Sequence, residues 1–164
     1  MFSRKLQDAV NQQINDELFS AYLYLAMGAY LETQNLTGMA HWMRVQFGEE
    51  QEHALKFFDF VNDRGGQVEL KAIAQPQTQW KGALDVFENV LEHEQKVTSL
   101  IHKLYEVALA EKDYAAQVLL HWFIDEQVEE EKNATQIVET LKMIGEKGQA
   151  LVMLDRQLAG RGAD

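Results

Sequence analysis

The 164-residue sequence contains no cysteine. That one absence excludes disulfides, thiolate zinc sites, iron–sulfur clusters and a thiol nucleophile. Proline is almost missing too: Pro76 is the only one. Basic residues are scarce, with 15 Lys+Arg against 26 Asp+Glu, for a formal charge of −11 at pH 7. No Lys/Arg cluster offsets that charge locally, which argues against nonspecific binding to nucleic acid. No uninterrupted apolar run approaches membrane-spanning length. The start, Met1-Phe2-Ser3-Arg4-Lys5, leads into an amphipathic segment and not into an apolar signal core. The expectation is a cytoplasmic protein that engages neither nucleic acid nor a membrane. A composition of 46% hydrophobic and 25% charged residues describes a globule, and the length suits one domain over residues 1–164.

Helical periodicity runs from about Ser3 to Thr33 and is broken by Gln34-Asn35-Leu36-Thr37-Gly38. A second helix is expected from Met39 to Arg64, ending at a left-handed cap on Gly65-Gly66. From Gly65 to Lys81 the period is lost, Gln67 to Ile73 being ambiguous, and helical spacing resumes from Gly82 to Ala110. Lys112-Asp113 forms a tight junction, with Asp113 as N-cap of a fourth helix reaching Ile144. A short fifth helix is expected over about 146–159, with Leu151, Leu154 and Leu158 as its apolar stripe. Short links make helices one and two antiparallel, and likewise three and four. The long link can span a helix of nearly thirty residues, which places helices two and three parallel. The fold class is therefore all-α: a four-helix bundle, about 3–144, with one long crossover and a short fifth helix.

Each long helix has an apolar seam interrupted near its middle. The second reads Met43, Phe47, Glu50, Ala54, Phe57, Val61 in alternating steps of four and three. The third reads Ala83, Phe87, Val90, Glu94, Val97, Ile101, Leu104, Ala108. The fourth reads Ala116, Leu120, Phe123, Gln127, Glu130, Ala134, Ile137, Leu141. In the first, Glu17 shares the stripe of Val10, Ile14, Ala21 and Tyr24. Those steps hold one helix face, the face that turns inward. Unpaired buried carboxylates are costly, so several converging ones call for a shared counter-charge, and a divalent cation is the simplest.

Glu50 and His53 are three apart, as are Gln127 and Glu130, so each pair projects from one face. Carboxylates with one imidazole and no sulfur suit iron or manganese and also accept zinc. Satisfied interfacial polar residues explain one such interruption; four at similar heights favour a di-metal site. By spacing alone Glu49, Glu126 and Glu129 form a solvated acidic face, and His41, His93, His102 and His121 are surface or capping residues. Tyr24, two turns from Glu17, is either a core aromatic or a donor or redox partner beside the metals. For Trp122, beside Phe123, packing is the default.

The set Glu17, Glu50-x-x-His53, Glu94 and Gln127-x-x-Glu130 resembles that of the bacterial non-haem ferritins over essentially the full chain. The resemblance implies an iron-storage ferroxidase acting on Fe(II) with dioxygen or hydrogen peroxide. One iron would be held by Glu17, Glu50 and His53, the second by Glu50, Glu94 and Glu130. Glu50 would bridge, with Gln127 close by and Tyr24 and Trp122 flanking the centre. A third iron would lie on Glu49, Glu126 and Glu129. Gln51 stands where the haem-binding relatives carry their methionine ligand, so no haem is expected. Di-iron oxygenases and passive metal buffers are the competing classes. Keeping a ferric mineral soluble needs a closed shell, implied to be a homo-oligomer of about 24 copies. Helix five is expected to pack at a symmetry axis between subunits, with Tyr30, Leu31 and Trp42 on exposed faces offering further contacts.

Overall fold

The computed structural model describes residues 2–162. Helix α1 spans Arg4–Thr33, α2 Thr37–Asp63, α3 Ala83–Ala110, α4 Tyr114–Ile144 and α5 Gln149–Leu158. The described residues include no strand, which settles the ambiguous stretch Gln67 to Ile73 as irregular chain.

Helix ends follow from local chemistry. Ser3 Oγ accepts from the Leu6 amide at 3.2 Å and caps α1, and Asp113 Oδ1 accepts from the Ala116 amide at 3.0 Å and caps α4. Helix α2 closes with Gly65 at φ +67°, its amide on the Asn62 carbonyl and that of Gly66 on Val61. Paired bonds of this kind satisfy the last carbonyls of a helix, and glycine takes the left-handed position without strain. The same bonding ends α1 at Asn35 and α3 at Lys112, with φ 59° and 53°. Helix α2 begins two residues before the expected Met39, and α5 is shorter than 146–159.

Residues 64–82 cross the length of the bundle along α1, which holds them by side-chain bonds. Asn11 Nδ2 donates to the Gln67 carbonyl at 3.0 Å, and Asn11 Oδ1 accepts from the Glu69 amide at 3.1 Å. The crossover leaves α2 and α3 parallel, so their N-terminal halves share one end with the C-terminal halves of α1 and α4.

The interior is two apolar clusters. One gathers Tyr24, Met27, Met39, Trp42, Met43, Phe87, Val90 and Val138 with their neighbours. The other gathers Leu6, Val10, Ile14, Phe57, Ile101, Leu104, Leu120 and Phe123. Between them, at mid-bundle, every helix of the four contributes a buried polar side chain: Glu17, Gln46, Glu50, His53, Glu94, Gln127 and Glu130. The interrupted seams therefore meet in one layer.

The apolar stripe of α5 has a seat within its own chain, which its spacing alone did not reveal. Leu154 is buried and Leu151 and Leu158 lie against the same cluster as Trp42, so the stripe packs within its own chain. A cap explains the docking: Asp155 Oδ1 accepts from the Met39 amide, at 2.8 Å, at the start of α2. The approach needs glycine at position 38, where a Cβ would meet the Asp155 carbonyl oxygen at 1.8 Å. Leu31 and Trp42 are buried too, so they are not exposed contact residues; Tyr30 is partly buried against Trp80.

Candidate metal centre

Glu17 from α1 and Glu50 and His53 from α2 converge so that one ligand atom of each lies within 4.8 Å of the others. All three are buried, with 1%, 2% and 5% exposure, well below what an isolated charge tolerates. His53 Nδ1 comes to 3.4 Å from Glu50 Oε2 without alignment for a hydrogen bond, and Oε2 finds no donor among the described residues. An orphaned buried carboxylate oxygen facing a second carboxylate and an imidazole fits a cation. The donors are hard oxygens and one nitrogen, which fits iron.

Glu94 of α3 and Glu130 of α4 complete the layer without joining that tight cluster. Tyr24 donates its hydroxyl proton to Glu94 Oε1, and Gln127 Nε2 donates to Glu94 Oε2 at 3.1 Å. Tyr24 is thus a donor beside the acid as well as a core aromatic. Gln127 also reaches the Glu94 carbonyl at 3.2 Å and Thr98 Oγ1 at 3.3 Å, so its amide is spent holding α3 to α4. Glu130 Oε2 accepts from Gln46 Nε2 at 3.0 Å.

Gln46 escaped the sequence reading, which carried the α2 seam through Phe47. Phe47 is only half-buried and Gln46 fully buried. Gln46 lies four before Glu50, a full turn away, and that spacing was the available signal. Gln13 is a second omission: its Nε2 donates to Glu17 Oε1 at 2.8 Å.

Proton affinities record the crowding. Burial, then repulsion from Glu50, lifts Glu17 well above the usual carboxylate range. Burial, then Glu94, lifts Glu50 likewise. Glu94 is raised by burial, against the bonds from Tyr24 and Gln127. Burial and the Glu94 charge push Glu130 up to about 7. Burial thus tightens the hold of all four carboxyls on a proton, and a bound cation would reverse this by favouring their charged forms.

Glu49 and Glu126 border a cleft of about 450 Å³ beside His53, with Glu52, Lys56, Asp59 and Trp122. Glu129 is exposed and does not line that cleft. The Trp122 ring stands edge-on to His53 at 5.4 Å, with Lys56 Nζ 4.1 Å above its centroid, so it walls the centre and is not core packing. His93, expected at the surface, is 9% exposed and hydrogen-bonded to Ser20 Oγ at 2.8 Å. Burial, then the Lys96 charge, lowers it to about 4, so it stays neutral. His121 is exposed, paired with the Tyr105 hydroxyl at 3.0 Å.

A family model described as a ferritin-like domain matches residues 7–144, nearly the whole of the four-helix bundle. The chain belongs to the ferritin family. A bacterial non-heme ferritin of Bacteroides fragilis is 44% identical over 161 residues, 98% of this chain and 100% of that protein. One from Staphylococcus aureus is 37% identical over 164 residues, 100% and 99% of the two chains. Among solved structures, an open-pore ferritin from Archaeoglobus fulgidus superposes with a TM-score of 0.97 at 50% identity, covering 98% of this chain and 99% of that one. An engineered closed form of the same archaeal ferritin also gives 0.97, at 50% identity and 98% coverage of both. The agreement spans the five helices of this ferritin-family chain, α5 included.

Proposed function

We propose that this protein stores iron: it oxidises Fe(II) within its own helical bundle and deposits ferric oxyhydroxide inside a closed shell of about 24 copies. The observation that carries the reading is the buried carboxylate layer across four helices, with an unsatisfied Glu50 oxygen beside Glu17 and His53. Membership of the ferritin family and full-length similarity to bacterial non-heme ferritins support iron as the metal.

Fe(II) is the substrate. Glu17, Glu50 and His53 hold the first ion; Glu50, Glu94 and Glu130 hold the second, with Glu50 shared between them. Two Fe(II) each give up one electron. Dioxygen accepts the pair and leaves as hydrogen peroxide, or peroxide accepts it and leaves as water. Hydrolysis of the Fe(III) to oxyhydroxide releases three protons per iron; reduction of the oxidant consumes one of them, so the net release is two per iron. The chain binds, orients and moves protons: Glu17, Glu50 and Glu130, whose carboxyls hold a proton more tightly than usual, release it as cations arrive. Tyr24 and Gln127 orient Glu94, and Gln46 orients Glu130. The cleft bordered by Glu49 and Glu126 serves a third ion, and Glu129, three residues after Glu126 along α4, is the further ligand assigned to it.

Glu50→Ala against the parent tests the site. Stopped-flow oxidation of Fe(II) in air should lose its rapid phase in the variant. Retention of a rapid phase with two irons consumed per dioxygen would remove Glu50 as the shared ligand.

A further inference from the structure

Of the cations near the acidic cleft beside His53, Lys56 lines it and Arg161 reaches it only through Glu49. Lys56 is engaged with the Trp122 ring. Arg161, in the turn following α5, is engaged with an acid: its Nη2 donates to Glu49 Oε2 at 2.7 Å. The side chain is seated on α2. Its guanidinium lies 4.4 Å above the centroid of Trp42, and its own carbonyl accepts from His41 Nε2 at 2.9 Å. Earlier in the chain, within α5, Asp155 holds the Met39 amide at 2.8 Å. Met39, His41, Trp42 and Glu49 thus fix the turn from one helix, and Arg161 is largely shielded, at 21% side-chain exposure.

The fit is incomplete in one respect. Arg161 Nη1 is buried and finds no acceptor among the described residues. A guanidinium usually places its fork on a carboxylate through two parallel bonds; here one arm is used and the other is stranded. The contact is therefore held by charge and stacking, without saturation of the donors. The positive field of Arg161 also reaches Glu130.

We propose that Arg161 is the resident counter-cation of the third iron position, neutralising Glu49 while that position is free of metal and giving way when Fe(II) binds there. The proposal rests on reading Glu49 as a ligand of that ion. With Glu49 Oε2 held at 2.7 Å by the guanidinium, a divalent cation taken on the same carboxylate is brought close to a positive group that repels it. Metal binding and the docking of the turn after α5 are then reciprocally linked: each weakens the other by one common factor. Iron arriving at the cleft frees the segment, and the empty cleft recaptures it. The latch holds the weakest iron position closed until the local Fe(II) concentration is high enough to displace it.

The test is anaerobic titration calorimetry with Fe(II) alone on the iron-free, assembled protein, alongside hydrogen–deuterium exchange of peptides covering residues 155–162. In Arg161→Gln the weakest binding step should tighten by roughly tenfold, with the stronger steps unchanged. Arg161→Lys, which keeps a charge without the stacked plane, should fall between the two. Glu49→Gln should abolish the weakest step. In the parent, Fe(II) should raise exchange across 155–162; in Arg161→Gln and Glu49→Gln it should be raised at the outset and not respond. If Glu49→Gln removes the weakest step while Arg161→Gln leaves it unmoved, the latch is wrong and the third position stands. If Glu49→Gln leaves every step intact, the third position is misassigned and the latch falls with it. A Lys variant as tight as the Gln variant would assign the effect to lost docking of α5 and overturn the counter-cation role.

Discussion

Glu130→Gln should make the iron-free protein more stable at neutral and alkaline pH while impairing its handling of iron. Glu130 is 4% exposed, and burial with the Glu94 charge pushes its carboxyl from an ordinary 4.5 up to about 7. A raised acid binds its proton more tightly in the folded state, so folding loses stability as pH rises from the unfolded to the folded value and stays depressed above it. The gap between 4.5 and about 7, at about 1.4 kcal/mol for each pH unit, puts the cost of ionised Glu130 at about 3 kcal/mol per chain above about pH 7. Glutamine has the same shape and still accepts from Gln46, so the substitution removes the charge and keeps the 3.0 Å bond. Guanidinium unfolding of metal-free protein at fixed subunit concentration reads the difference. The variant should exceed the parent by up to about 3 kcal/mol per chain near pH 8, and the difference should shrink through pH 5 and vanish below the unfolded value of 4.5, where the carboxyl is protonated in both states. A variant no more stable than the parent near pH 8, or equally stabilised near pH 8 and below 4.5, would refute the reasoning. The opposite sign is expected once iron is added, since the glutamine offers the second ion no charge and Fe(II) then stabilises the parent more.

Glu17→Ala and His53→Ala should each slow the rapid phase of Fe(II) oxidation with helical content unchanged, and Glu50→Ala should slow it more; circular dichroism with stopped-flow absorbance would check both. Asp113→Ala removes the α4 cap and the paired bonds from Arg64 at 2.8 and 2.7 Å, a cost of about 2 kcal/mol in urea or guanidinium unfolding. The Arg64 guanidinium holds the Asp113 carboxyl below its ordinary 3.8, so that contribution is present above 3.8 and disappears as pH falls through the lower folded value; the gap between parent and Asp113→Asn should narrow progressively as the pH is taken below 3.8. Gly38→Ala places a methyl against the Asp155 carbonyl oxygen and should lift α5 from α2, seen as faster amide exchange over residues 149–158 with the four long helices protected.

The four long helices were legible because their period is strong: interior residues repeat at steps of three and four, and Asp113 and Gly65 mark the start of α4 and the end of α2. The carboxylate layer was legible for the same reason, since Glu17, Glu50, Glu94, Gln127 and Glu130 stand on those stripes and are buried. Position alone could not show what depends on a partner far along the chain. His93 sits one residue off the α3 stripe and is buried because Ser20, 73 residues earlier, faces it. The α5 stripe looked unpartnered because its seat is built by Gly38 and Met39, more than a hundred residues away. Gln46 was hidden by Phe47, whose aromatic ring made the better-looking seam residue. Trp122 reads as core beside Phe123, yet α2 and α4 keep every Cα pair beyond 8 Å, and the ring fills the opening between them at His53.

Aerobic loading of the metal-free protein with Fe(II), followed by light scattering and iron counting on the same particle, tests iron storage most directly. The account predicts a closed assembly of about 24 chains that stays soluble while its iron content climbs far beyond three ions per chain. A monomer or dimer, or uptake that saturates at two or three irons per chain, would contradict storage, even if the paired oxidation at Glu17, Glu50 and His53 survived.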